Sequence, residues 1–212
     1  MSDYLLYGNP GWGSAIVEAQ LDWYQLPYRY QASGDLFASA EARDALRPLN
    51  PITQVPTLVL PGGPVMAESA AITLHLADVA GRADLVPGAN APERAAFLRW
   101  LVFLVANIYP TFTYADDPQR FVKDEAAAKA FRVEVDAYAL RLWSAVELAA
   151  GAPWFLGPRF SALDIYLAVM LRWRPRLDWF AQNAPRLHGT AQAASALPAL
   201  APMMARNFPP KK

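Results

Sequence analysis

The chain has 212 residues, 54% of them hydrophobic, which suffices for one large or two small domains and excludes a disordered chain. Nineteen Lys and Arg balance nineteen Asp and Glu, so no electrostatic footprint favours nucleic acid or an anionic membrane surface, and small or neutral partners are expected. The absence of cysteine excludes disulfides, thiolate metal sites and a protein thiol nucleophile.

The opening MSDYLLYGN has neither a basic region nor a long apolar stretch, so it does not read as a signal peptide, and a cytoplasmic chain is expected. Tyr4 to Tyr7 is a short strand that stops at the turn residues Gly8-Asn9-Pro10-Gly11. Ser14 stands where a helix N-cap would, and Ile16, Ala19, Gln20 and Trp23 recur at helical spacing before Pro27 ends the helix. Tyr28 to Gln31 reads as a second strand and Ala38 to Leu46 as a second helix, with Arg43 and Arg47 suiting the dipole near its end.

The stretch Asn50 to Asp78 organises the first half. Pro56 opens the apolar strand Thr57 to Leu60, and either a turn or a cis Val55-Pro56 bond would account for a proline there. The cis form leaves the backbone N–H and C=O of Val55 open to an extended ligand. Pro61-Gly62-Gly63-Pro64 is a hairpin turn, Val65-Met66 a short strand and Glu68-Ser69 a helix start, completing a βαβα-ββα order.

Residues 80–92 are rich in Ala, Gly and Pro and read as a linker between a domain at 1–79 and one at 93–212. Beyond it the pattern is helical, over Glu93 to Val105, Glu125 to Ala149 and Leu163 to Trp173. Leu101 to Ala106 is the most apolar run; bracketed by Arg99 and Asn107, it is far shorter than the roughly 20 residues of a spanning helix and reads as buried. Ser161-Ala162-Leu163-Asp164 has the form of a capping box, with Phe160 placed to staple to Ile165. The tail, with Pro198, Pro202, Pro209, Pro210 and two lysines, reads as a short helix and then loose chain. His75 and His188 lack ligand partners at helical spacing and no G-x-S-x-G elbow is present, so neither metal nor triad chemistry is expected.

This layout resembles the glutathione transferase superfamily over nearly the whole chain. Gln54-Val55-Pro56 resembles the family's cis-proline turn, Glu68-Ser69-Ala70-Ala71-Ile72 the start of its third helix, and Ser161 to Asp164 the capping box of its helical domain, with Ala-Leu in place of the usual Leu-Ala. The resemblance implies an α/β thioredoxin-like N-terminal domain followed by an all-α C-terminal domain, and a cytoplasmic homodimer in detoxification. Glutathione would be the co-substrate, with no metal, and a small hydrophobic electrophile the second partner; nucleic acid and membrane are not expected partners.

Glutathione is an extended tripeptide with two carboxylates, an amine and a thiol. Laid over these residues, Val55 beside Pro56 would pair with its cysteinyl unit, Gln54 would bond its amides, and Ser69 with the helix N–H groups would hold the γ-glutamyl carboxylate. Glu68 would face the amine, and Arg47 or Arg43 the glycyl carboxylate. The thiolate would lie in the loop Tyr7 to Ser14, where serine and cysteine classes keep their activating group at positions here held by Trp12 and Gly13. Ser14 and Tyr7 are therefore the candidate donors, with Asn9 or a loop N–H as alternatives; each also has an ordinary structural role, as N-cap or packed aromatic. Gly8, Gly11 and Gly13 form G-x-x-G-x-G, not the dinucleotide order G-x-G-x-x-G. Trp12, Trp100, Tyr109 and Tyr114, together with Phe103, Phe112, Arg172 and Trp173, are candidates for an electrophile pocket, although aromatics at helical spacing are commonly core. A non-catalytic binding or scaffold module, and a peroxidase, isomerase or dehalogenase on the same fold, are the alternatives.

Overall fold

A computed structural model of the chain describes residues 3–209. By contacts the chain divides into two compact units, Met1–Val86 with Ala193–Lys212, and Pro87–Gln192. The boundary thus falls inside the stretch read as a linker, and the last segment joins the first unit, whereas the sequence division left it with the helical domain.

In the first unit β1 (Tyr4–Gly8), α1 (Ser14–Tyr24), β2 (Tyr28–Ala32), α2 (Ala40–Leu46), β3 (Thr57–Val59), β4 (Val65–Met66) and α3 (Ser69–Ala80) follow in the expected βαβα-ββα order. They build a four-stranded sheet of order β2-β1-β3-β4. β1 runs parallel to β2 and antiparallel to β3, and β3 antiparallel to β4, the mixed arrangement of a thioredoxin-like domain. Leu6 and Leu58, paired across β1 and β3, are fully buried at its centre. α1 ends where Gln25 takes a left-handed φ of 55°, two residues before Pro27. Every residue from Ser14 to Leu21 is buried.

The second unit is helical: α4 (Arg94–Phe103), α5 (Tyr109–Asp116), α6 (Glu125–Ala149), α7 (Ala162–Met170), α8 (Leu177–Asn183) and the start of α9 (Pro185–Ser195). Fully buried Trp143, Phe180 and Tyr166 lie in its core, the first two edge to face at 5.0 Å. α4 and α5 are joined by a π-helical turn at Leu104–Ile108, in which the Tyr109 N–H reaches back to the carbonyl of Leu104. Pro110 has no N–H to give an α-helical ladder, and the widened turn keeps the helix continuous beside it. The run Leu101 to Ala106 is amphipathic rather than wholly buried: Leu101 and Leu104 are inside, while Val102 is 55% exposed. Among the described residues Arg94–Asp116 is the one helix long and apolar enough to cross a membrane by length and composition, a test that core helices also pass.

The Ser161–Asp164 capping box forms as the spacing predicts, with the Ser161 N–H donating to the Asp164 carboxylate at 2.8 Å. The same carboxylate accepts from the Phe155 N–H at 2.8 Å, so it fastens the preceding loop as well as capping α7. The Phe160 ring packs edge-on against Trp154 at 4.9 Å. The short helix expected in the tail is α10 (Ala201–Asn207), which packs on α1. Pro210 and the two lysines lie outside the described residues.

Asp164→Ala is expected to destabilise the protein by about 2–4 kcal/mol, because a cap and a second buried N–H both lose their acceptor; denaturant unfolding measures it. Burial raises the Asp164 carboxyl to about 6 in the folded state, against the hydrogen bonds from Phe155 and Ser161 that favour its charge. An acid whose folded pKa is raised contributes stability present below its unfolded pKa and lost as pH rises through the folded value. The stability difference between the wild type and Asp164→Asn should therefore shift against the wild type by up to about 3 kcal/mol between pH 4 and 6. Parallel melting curves for the two proteins across that window would contradict this.

Candidate functional site

The candidate ligand-binding stretch is shaped by a side chain that the sequence reading passed over. Asn50 donates through Nδ2 to the carbonyl of Gln54 at 3.0 Å and to Thr57 Oγ1 at 3.1 Å, and accepts from the Ile52 N–H at 3.1 Å. The Thr57 hydroxyl in turn donates to the Gln54 carbonyl at 2.8 Å. This closed turn delivers Val55 and Pro56 to the head of β3, and the Val55-Pro56 bond is cis. Among the described residues none engages the N–H or C=O of Val55, while the Gln54 side chain is exposed. An Asn ahead of a proline is a turn signal, but its partners emerge only once the turn is closed.

Glu68 is the N-cap of α3, with φ 66° and ψ 99°, and no side chain caps the helix. A left-handed φ at a non-glycine residue costs on the order of 1–3 kcal/mol and concentrates at functional positions. Ser69 is the first helical residue and is buried, so it is not an N-cap; its N–H and those after it begin α3 without a protein acceptor. Glu68 itself is exposed. Arg47, exposed at the end of α2, pairs with Asp44 at 2.9 Å, while Arg43 donates to the carbonyls of Leu36 and Phe37 at 2.9 and 2.8 Å. Arg43 is thus committed to its own loop, which leaves Arg47 as the more available cation.

The loop between β1 and α1 differs from its expected form at Ser14. Gly13, not Ser14, is the N-cap of α1. The Ser14 hydroxyl is fully buried, accepting from the Asn9 N–H and donating to the Asn9 carbonyl, both at 3.1 Å. Such a hydroxyl closes its loop and has no proton to offer outward. Its approach also requires Gly8, since a Cβ there would meet Ser14 Cβ and Oγ at 2.3 Å. The Tyr30 phenol, raised by burial, hydrogen bonds the same Ser14. The backbone N–H groups of Gly13 and Ser14 have no acceptor among the described residues. Tyr7 is half-buried at the end of β1, opposite Thr57.

Two hydrogen-bonded chains tie these parts together. Gln20, fully buried on α1, donates to Thr73 Oγ1 at 3.0 Å, and Thr73 donates to the Ser69 carbonyl at 2.9 Å, so α1 is linked to the first turn of α3. On the other side of α1, Arg206 Nε donates to Glu18 at 2.9 Å and its Nη2 to Asp22 at 2.7 Å, while Asn207 bonds both Glu18 and the Gly11 N–H. Burial alone would lower the Arg206 pKa, but its bonds to Glu18 and Asp22 raise it.

The candidate aromatic residues do not form one group. Trp12, in the first unit, packs on Phe37 at 5.1 Å. In the second unit Trp100 is core, edge-on to Phe103 and Phe155. Tyr109 lies with Phe112 and Trp173, at 6.4 and 5.4 Å, and Tyr114 is 41% exposed beside Phe121 and Phe131. Among the described residues no group of three or more His, Cys, Asp or Glu could hold a metal ion.

Residues 15–79 match the family model of the glutathione S-transferase N-terminal domain. The chain is 39% identical over 204 residues to the uncharacterized GST-like protein YncG of Escherichia coli (strain K12), covering 95% of this chain and 97% of that protein. It is 30% identical over 169 residues to glutathione S-transferase GST-4.5 of Xanthomonas campestris pv. campestris, covering 79% of this chain and 81% of that one. The fold is shared, at a TM-score of 0.81 and 24% identity, with a glutathione transferase homolog from Sulfitobacter solved with bound glutathione, over 95% of this chain and 97% of that one. On this identity, length and fold, the chain belongs to the glutathione transferase superfamily.

Proposed function

We propose that this protein is a glutathione transferase that binds glutathione in its first unit and promotes attack of the thiolate on a small hydrophobic electrophile. One observation carries the reading: an unengaged Val55 backbone beside cis Pro56 and an uncapped α3 N-terminus at Ser69 occur in the same unit. The first suits strand-like pairing with the cysteinyl residue, the second a γ-glutamyl carboxylate. Glu68 takes the amine and Gln54 the peptide amides. Arg47 turns from Asp44 to the glycyl carboxylate, at little cost because exposed pairs contribute only about 0–1 kcal/mol.

A free thiol with a pKa of about 8.5 is mostly protonated at neutral pH. In this reading the N–H groups of Gly13 and Ser14 at the start of α1 favour its thiolate, and the Tyr7 phenol is the side-chain donor. The Ser14 hydroxyl contributes by fixing Asn9. A homodimer and a cytoplasmic setting belong to the reading as family expectations. The second reading, a binding module without turnover, draws on Trp12 and Gly13 at the loop positions where an activating side chain would stand, and on the sealed Ser14 hydroxyl.

Calorimetric titration with glutathione tests the site. Binding is expected, and Ser69→Ala should weaken it roughly tenfold or more at unchanged melting temperature, the loss of a hydrogen bond to a charged group; no heat from the wild type would sink the assignment. Turnover of an activated aromatic halide separates the two readings. Tyr7→Phe is expected to lower kcat about tenfold without loss of stability. Ser14→Ala should lower stability by about 1–3 kcal/mol, because the Asn9 N–H loses its partner. Stabilisation by glutathione with no turnover on a panel of electrophiles would favour the binding module.

A further inference from the structure

Asn207 sits at the end of α10, 7% exposed, 196 residues from the loop it touches. Its Oδ1 accepts from the Gly11 N–H at 2.9 Å, and its Nδ2 donates to Glu18 Oε2 at 2.8 Å and to the Met203 carbonyl at 3.1 Å. Two acceptors on the nitrogen side fix which way the amide faces, so its oxygen is turned to Gly11 by necessity. Glu18, only 5% exposed, is held by Arg206 as well, and Tyr28 donates to Asp22 one turn further on at 2.9 Å. Gly11 is fitted to this contact: its φ is +77°, and a Cβ there would come within 3.2 Å of the Asn207 carbonyl oxygen. The loop is thus clamped at Asn9 by Ser14 and at Gly11 by Asn207, on either side of Pro10 and just ahead of the N-cap Gly13.

We propose that Asn207 is a positioning residue for the sulfur-binding loop, setting the Gly11 peptide so that the N–H groups of Gly13 and Ser14 converge on the thiolate. The proposal rests on the reading that the thiolate lies at the start of α1. A donor misplaced by about 1 Å at a reacting centre can cost on the order of a hundredfold, so a clamp on this loop has leverage over the chemistry without touching glutathione.

The test follows the thiolate absorbance of bound glutathione against pH, with kcat and the glutathione Kd, in three proteins. In the wild type the bound thiol should ionise below its free pKa of about 8.5. In Asn207→Ala the thiol pKa should rise by roughly one unit and kcat fall roughly tenfold, with Kd within about threefold, because the binding half of the site is elsewhere. The exchanged pair Glu18→Gln with Asn207→Asp keeps an acceptor for Gly11 and reverses the bond between the two side chains, and should restore both values to within about threefold of the wild type. A merely structural residue would lower stability and leave the thiol pKa unmoved. An unshifted pKa in Asn207→Ala, or an exchanged pair as impaired as the single variant, overturns the proposal while leaving glutathione binding intact. A wild type that binds glutathione without lowering its thiol pKa removes the premise and the proposal together. Should Asn207→Ala fail to fold, Asn207→Asp alone decides: it keeps the Gly11 acceptor, so the thiol pKa should hold while the melting temperature falls, and a raised pKa counts against the clamp.

Discussion

A polar side chain buried without a hydrogen bond is costly, and on α1 Ser14, Glu18 and Gln20 are all withdrawn from water. Each finds its partner in a different part of the first unit. Ser14 closes on Asn9, Gln20 reaches Thr73 and through it the start of α3, and Glu18 collects Arg206 and Asn207 from α10. The obligation to satisfy these groups inside the fold turns a packing element into a hub. The first turn of α3 and the head of α1 are consequently held in one hydrogen-bonded frame rather than by apolar contact alone.

The division of labour within the unit follows from that frame. The turn closed by Asn50 presents backbone, the first turn of α3 presents uncapped N–H groups with a strained Glu68 ahead of them, and the loop before α1 presents the donors Gly13 and Ser14. Most of these are main-chain groups, whose placement depends on side chains buried behind them. The same logic recurs in the second unit, where one buried carboxylate, Asp164, caps α7 and fastens the loop at Phe155.

The order of strands and helices, the cis-proline turn, the α3 start and the capping box were legible because each rests on local signals: periodicity, turn residues and fixed three-residue spacings. Ser14 was misjudged as an N-cap because a hydroxyl near a helix start has two geometries open to it, and only the close approach allowed by Gly8 selects the inward one. Trp100 and Tyr109 share helical spacing, yet the π-turn between them changes the register, and one is core while the other joins Trp173. Glu18, Gln20 and Asn207 were invisible as supports of the candidate site because their partners there lie 53 to 196 residues away.

The clamp on Gly11 also has a temporal side. During synthesis Asn207 leaves the ribosome 196 residues after Gly11, so the loop gains this acceptor long after it has itself emerged. Until then Glu18 sits without Arg206 or Asn207. Completion of the loop therefore reports completion of α10. A cut placed close behind Phe208 would act on a loop 196 residues before Asn207.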